Sequence, residues 1–198
     1  MISYCVSIYF LAVCSANLTV VFAVDGSYKM GEPRFRLVGD FITNISRNFD
    51  IDINKTWFIT AVEGNGTYVY KTRAELNNFL GLYFPNTSRV VLGKALDSVR
   101  YQLSDNETRR DVPVVVLVIA SHKSDDDIAV STISLKKWNA TLIAVGIGDE
   151  ISPGQMREIA SDPDSDYFVE CNGTNCLFTK SMTIARTICQ GKHICQVI

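Results

Sequence analysis

Val114–Ala120 reads VVVLVIA: seven apolar residues without a break, five of them β-branched. An unbroken run of this kind fits a strand buried on both faces, as at the centre of a parallel sheet. Around it the predicted elements alternate. Upstream, 18–24 (LTVVFAV) predicts a strand ending in the turn Asp25-Gly26-Ser27. Phe35, Leu37, Val38, Phe41, Ile42 and Ile45 then recur at helical spacing as far as Phe49. Trp57–Val62 and 68–70 read as strands around a Gly-Asn-Gly turn, and 73–82 and 93–103 as helices. Downstream, 124–138 predicts a helix whose start is marked by Ser124 and three Asp, a capping residue with acids at the positive helix end. A strand at 141–145, a helix opened by Ser152-Pro153, a strand at 167–169 and a helix at 179–188 complete the chain.

Strand and helix in alternation imply an α/β fold, a doubly wound and mostly parallel sheet flanked by helices on both faces. Ligands of such sheets gather at the C-terminal strand ends. Here those ends are Asp25-Gly26-Ser27, Ala120-Ser121-His122 and Gly146-Ile147-Gly148-Asp149. No repeat, low-complexity tract or Pro/Gly/Ser linker divides the 198 residues, so one domain is expected. At 47% apolar and 20% charged, the chain is not a disordered tail, a collagen helix or a polytopic membrane protein. A net charge of −2 leaves no electrostatic case for nucleic-acid binding.

Residues 1–24 carry no charged side chain, a length that could span a membrane. The most apolar part, 4–13, is followed by the small residues Cys14-Ser15-Ala16, which favours a signal peptide over 1–16 against an uncleaved anchor. The mature chain, 17–198, then has no membrane span. The N-x-[ST] sequon occurs at Asn17, Asn44, Asn54, Asn65, Asn86, Asn106, Asn139 and Asn172. Twelve Asn and thirty Ser plus Thr would produce about two by chance, so passage through the secretory pathway is expected. Asn17 adjoins the cleavage point and is the weakest candidate. Of the six Cys, Cys171, Cys176, Cys189 and Cys195 crowd one end and read as disulfides of a secreted protein. Cys171–Cys176 would close a small loop. Cys189 and Cys195 pair together, or one reaches Cys14 if that residue survives cleavage.

The segments VVFAVDGS (20–27), LGKALDSV (92–99), VVVLVIASHKSDDDI (114–128) and LIAVGIGDEISPGQMREIASDPDSDYFVE (142–170) resemble the von Willebrand factor type A domain. The resemblance covers nearly all of 17–198 and implies a secreted adhesion or matrix module that binds an extracellular matrix or cell-surface protein. The family's usual ligand site is a divalent cation held by Asp-x-Ser-x-Ser after the first strand, a Thr in the second loop and an Asp after the central strand. On that pattern Asp25 and Ser27 are kept, Lys29 replaces the second Ser, Val90 the Thr and Ser121 the Asp. Thr87 or Ser88 could shift into the second-loop position. Mg²⁺ wants six hard oxygen donors and usually carboxylate help. No cofactor is therefore expected, or at most weak Mg²⁺ or Mn²⁺ on Asp25, Ser27 and Ser121. The Lys29 ammonium could stand in for the cation and pair with Asp25, or point into solvent.

Other chemistries fare worse. Asp125-Asp126-Asp127 lacks the central Gly and terminal Glu of a calcium loop and is read as the helix start. The first turn is neither G-x-G-x-x-G nor a phosphate loop. A hydrolase on Ser121 or Ser27, with His122 and Asp25 or Asp149, lacks the G-x-S-x-G elbow, and neighbouring residues are not expected to present Ser and His to each other. The sequence thus predicts no enzyme but a metal-independent binding module with a ligand face around Asp25, Ser27, Lys29, Val90 and Ser121. Metal-dependent adhesion and a serine hydrolase are the alternatives.

Overall fold

The computed structural model describes residues 13–79, 84–105, 109 and 111–190. Six strands form one sheet: β1 (Thr19–Val24), β2 (Trp57–Val62), β3 (Gly66–Tyr70), β4 (Val114–Ala120), β5 (Thr141–Ile147) and β6 (Phe168–Cys171). Their spatial order is β3-β2-β1-β4-β5-β6. All neighbours are parallel except β2 and β3, which form an antiparallel hairpin. The unbroken apolar runs take the central positions. β1 and β2 are buried along their whole length, and β4 and β5 at all but their first residue. At the edge, β3 alternates between exposed and half-buried residues until it ends on buried Tyr70.

Among the described residues seven helices cover the sheet: α1 (Glu32–Ser46), α2 (Arg73–Phe79), α3 (Leu92–Ser104), α4 (Ala129–Lys137), α5 (Pro153–Ile159), α6 (Asp164–Tyr167) and α7 (Thr174–Gln190). α1 packs against α7, and α3 against α4, which in turn meets α5. Right-handed crossovers put the first pair on one face and the second set on the other. The chain leaves β1 toward β2 and later returns to β4 on the opposite side of β1. The strand order therefore reverses between β1 and β4, whose C-terminal ends lie side by side.

Two predicted helices differ in instructive ways. The helix expected over 124–138 starts at Ala129, because Ser124 and Asp126 cap a different helix. Leu92 N–H donates to Ser124 Oγ (2.8 Å), and Gly93 and Lys94 N–H donate to the Asp126 carboxylate (3.0 Å each). α3 has Val91 at its N-cap, with no capping side chain of its own, and borrows this one from across the sheet end. The last helix begins at Thr174, earlier than residue 179, just after the Gly173 turn. Of the helix expected over 73–82, residues 80–83 lie outside the described residues.

Among the described residues two disulfides form, Cys171–Cys176 and Cys14–Cys189. The first is the expected small loop, and the second is one of the alternatives left open by the sequence. Cys14 is buried and joined by backbone hydrogen bonds to Asn48 and Asp50. The bridge needs Cys14 in the folded chain, so a cut between residues 16 and 17 would leave Cys189 without this partner. Cys5 and Cys195 lie outside the described residues. Among the sequon asparagines, Asn17, Asn54, Asn86, Asn139 and Asn172 are exposed and Asn44 and Asn65 half-buried, while Asn106 lies outside the described residues. No helix among the described residues is long and apolar enough to cross a membrane.

Candidate functional site

At the C-terminal ends of β1 and β4, the first loop folds around its own carboxylate. Asp25 is fully buried. Ser27 N–H donates to Asp25 Oδ1 (2.9 Å), and the Ser121 hydroxyl donates to Oδ2 over a longer 3.4 Å. Ser27 Oγ, also buried, has no hydrogen-bond partner among the described residues. Gly26 lets the loop lie against β2: a Cβ there would sit 2.3 Å from the Glu63 carbonyl oxygen. The loop is also paired to the second one, with Tyr28 N–H on the Thr87 carbonyl (2.8 Å) and Thr87 N–H on that of Gly26 (3.1 Å).

The second loop is pinned from beneath by Glu63, at the end of β2. Thr87 Oγ1 donates to Glu63 Oε1 (2.8 Å) and Val91 N–H to Oε2 (3.3 Å). Burial pushes the Glu63 carboxyl above its ordinary value and outweighs the lowering by these two hydrogen bonds. Val90 is buried in the hydrophobic core. Its backbone is clamped by Asp125, whose Oδ2 accepts Val90 N–H (3.1 Å) and whose own N–H donates to the Val90 carbonyl (2.7 Å). Thr87, the other candidate for this loop, turns its hydroxyl to Glu63 and to the Arg89 carbonyl.

Of the two outcomes the sequence left open for Lys29, pairing with Asp25 and pointing into solvent, the first is not seen among the described residues. Its ammonium lies 4.0 Å from Asp125, and among the described residues no ion pair joins it to Asp25. Arg89 approaches the same carboxylate at 4.0 Å, so two cations share one acid at the rim. The physical reason is reach: Asp25 already receives its donors from its own loop and from Ser121, whereas Asp125 stands at the surface.

The third loop holds an arrangement the sequence argument did not expect. Ser121 and His122 are adjacent in the chain, yet Ser121 Oγ lies 2.9 Å from His122 Nδ1. The other ring nitrogen, Nε2, meets Glu150 Oε2 at 2.6 Å. Its acidic partner is thus Glu150, from the loop after β5, and not Asp149. Nothing in the sequence around Glu150 marks it beyond its place two residues after Gly148, at a strand end. Ser121 itself is fully buried and His122 largely so.

The donors gathered at Asp25 are a poor fit to a divalent cation. One carboxylate and two hydroxyls converge, with both carboxylate oxygens and the Ser121 hydroxyl already engaged. Val90 offers no side-chain donor, Lys29 brings positive charge, and no cluster of three or more His, Cys, Asp or Glu able to hold a metal occurs among the described residues. Of the five residues expected on the ligand face, Asp25, Ser27, Val90 and Ser121 are buried and only Lys29 reaches solvent.

The chain is 28% identical over 168 residues to the human collagen alpha-1(XXI) chain, covering 77% of its own length and 16% of that relative. Mouse vitrin (23% over 190 residues) and mouse cochlin (26% over 172) are also similar, with 28% and 29% of their lengths covered. The chain therefore spans under a third of these extracellular matrix relatives. Among solved structures, proximal thread matrix protein 1 from the mussel byssus, in a form with a zinc-occupied MIDAS motif, superposes with a TM-score of 0.78 at 16% identity over 90% of this chain and 47% of that one. The family description "von Willebrand factor type A domain" matches residues 19–179. The chain belongs to the von Willebrand factor type A domain family.

Proposed function

We propose that this domain is a secreted, N-glycosylated, non-enzymatic module that binds a matrix or cell-surface protein without a metal ion. The matrix relatives support the class of function. The observation that carries the metal-free part is the self-contained Asp25: its oxygens are met by Ser27 N–H and the Ser121 hydroxyl, while the Lys29 ammonium lies by Asp125. Partner contact then falls to the exposed rim, namely Tyr28, which is 57% exposed, with Lys29, Arg89 and Asp125. Lys29 and Arg89 bring two cationic side chains to this rim, each 4.0 Å from Asp125, and these suit an acidic group on the partner. A hydrolase is disfavoured because the Ser121 hydroxyl is fully buried.

One observation favours metal-dependent adhesion as the second reading: the Ser27 hydroxyl, buried and unpartnered among the described residues, is the kind of group a cation would use. The experiment that separates the two is retention of the secreted protein on immobilised collagens, fibronectin and laminin, in Mg²⁺ and in EDTA. The metal-free reading expects equal retention in both buffers and its loss in Lys29→Glu/Arg89→Glu. Loss in EDTA alone favours the second reading.

A further inference from the structure

We propose that a hydrogen-bonded chain, Asp25–Ser121–His122–Glu150, does for the strand-end loops what a bound cation does elsewhere in the family: it ties three of them together. The inference rests on the metal-free reading. The chain begins at the buried Asp25 carboxylate after β1, passes through the Ser121 hydroxyl (3.4 Å) and the His122 ring (2.9 Å to Nδ1) after β4, and ends on Glu150 after β5 (2.6 Å from Nε2). A cation in such a site draws oxygens from several loops toward one point. Here the imidazole spans the gap instead, because its two ring nitrogens point in opposite directions and can engage partners in two loops at once.

The substitutions in this sequence fit that role. Where the family pattern has Asp after the central strand, Ser121 contributes a hydroxyl that can take one partner on each side. A carboxylate there would face Asp25 with like charge unless a cation lay between them. The outer end is anchored by the Cys171 carbonyl, which accepts Gly148 N–H (2.8 Å) and so fastens the β5 loop to β6 and to the Cys171–Cys176 loop. Glu150 is 65% exposed, yet it holds a ring that is only 15% exposed. Removal of so exposed a surface carboxylate ordinarily changes little. On this account it loosens a loop two strands away.

The test is amide hydrogen exchange of the whole secreted chain, read at Ser27, whose N–H donates to Asp25, and at Gly148, which is local to Glu150. Glu150→Ala and His122→Ala are each expected to speed exchange at Ser27 about fivefold. The double variant should be no faster than His122→Ala alone, and Glu150→Gln, which keeps an acceptor for Nε2, should restore slow exchange. A change confined to Gly148 would overturn the chain while leaving the metal-free reading intact. Slower exchange at Ser27 on addition of Mg²⁺ to the native protein would overturn both, since a cation would then be holding the loops.

Discussion

The Asp126 carboxylate lies 3.0 Å from the amide nitrogen of Gly93, thirty-three residues earlier in the chain, and at the same distance from that of Lys94. The loop after β4 thus supplies the negative end for α3, the helix that follows the second site loop. Asp126→Ala is expected to cost about 1–2 kcal/mol in chemical unfolding, since two helix-start amides lose their acceptor. Gly93→Ala should destabilise as well, although alanine normally favours a helix over glycine by about 1 kcal/mol. A Cβ at Gly93 would sit 2.2 Å from the Asp127 carbonyl oxygen, so the cap itself must shift. A neutral or stabilising Gly93→Ala would show that this close approach is relieved at no cost.

Glu63 gives the domain a pH dependence of definite sign. Burial raises its carboxyl above the ordinary 4.5, so between that value and the raised one the folded state binds more protons than the unfolded. This group's contribution to stability therefore falls as pH rises through that window. In urea unfolding at a series of pH values from 4.5 upward, native protein should lose stability relative to Glu63→Gln, which does not titrate. A constant difference between the two across the series would contradict the assignment.

The two disulfides should differ in weight. Cys14 and Cys189 are 175 residues apart, and Cys171 and Cys176 only 5. Loop-closure entropy assigns about 5 kcal/mol to the long loop and about 2 kcal/mol to the short one. Cys14→Ser/Cys189→Ser is accordingly expected to lower the melting temperature more than Cys171→Ser/Cys176→Ser. The reverse order would mean that the short loop, which anchors Gly148, holds more structure than its length suggests.

The strands and the family were legible because they depend on composition over several residues. VVVLVIA and WFITAV can be buried on both faces only at the centre of a sheet, and both lie there. Partnerships across loops were not legible. Ser124 and Asp126 look like the start of the next helix, and only the fold brings the start of α3 within their reach. For Lys29 the sequence leaves Asp25 and solvent open, because it does not show that the flexible stem reaches Asp125 at the rim. Ser121 and His122 were discounted as neighbours, because the sequence does not reveal the turn after β4 that brings Oγ to Nδ1. Glu150 could be found only once β5 was placed beside β4.

Restoring the family donors tests the residue assignment. Lys29→Ser, Val90→Thr and Ser121→Asp in one chain should create Mg²⁺-dependent stabilisation, seen as a higher melting temperature with Mg²⁺ than with EDTA. Ser121→Asp alone should destabilise in EDTA, because two carboxylates then face each other without a cation. Absence of any Mg²⁺ effect in the triple variant would show that this residue-by-residue assignment is wrong.

The central claim, that the strand-end face needs no metal, is tested most directly by the melting temperature of the secreted protein in excess Mg²⁺ or Mn²⁺ and in EDTA. A cation at 100 times its dissociation constant would add about 2.7 kcal/mol to stability, well within what a melt detects. The account predicts coincident melts. A clearly higher melting temperature with either cation would contradict it.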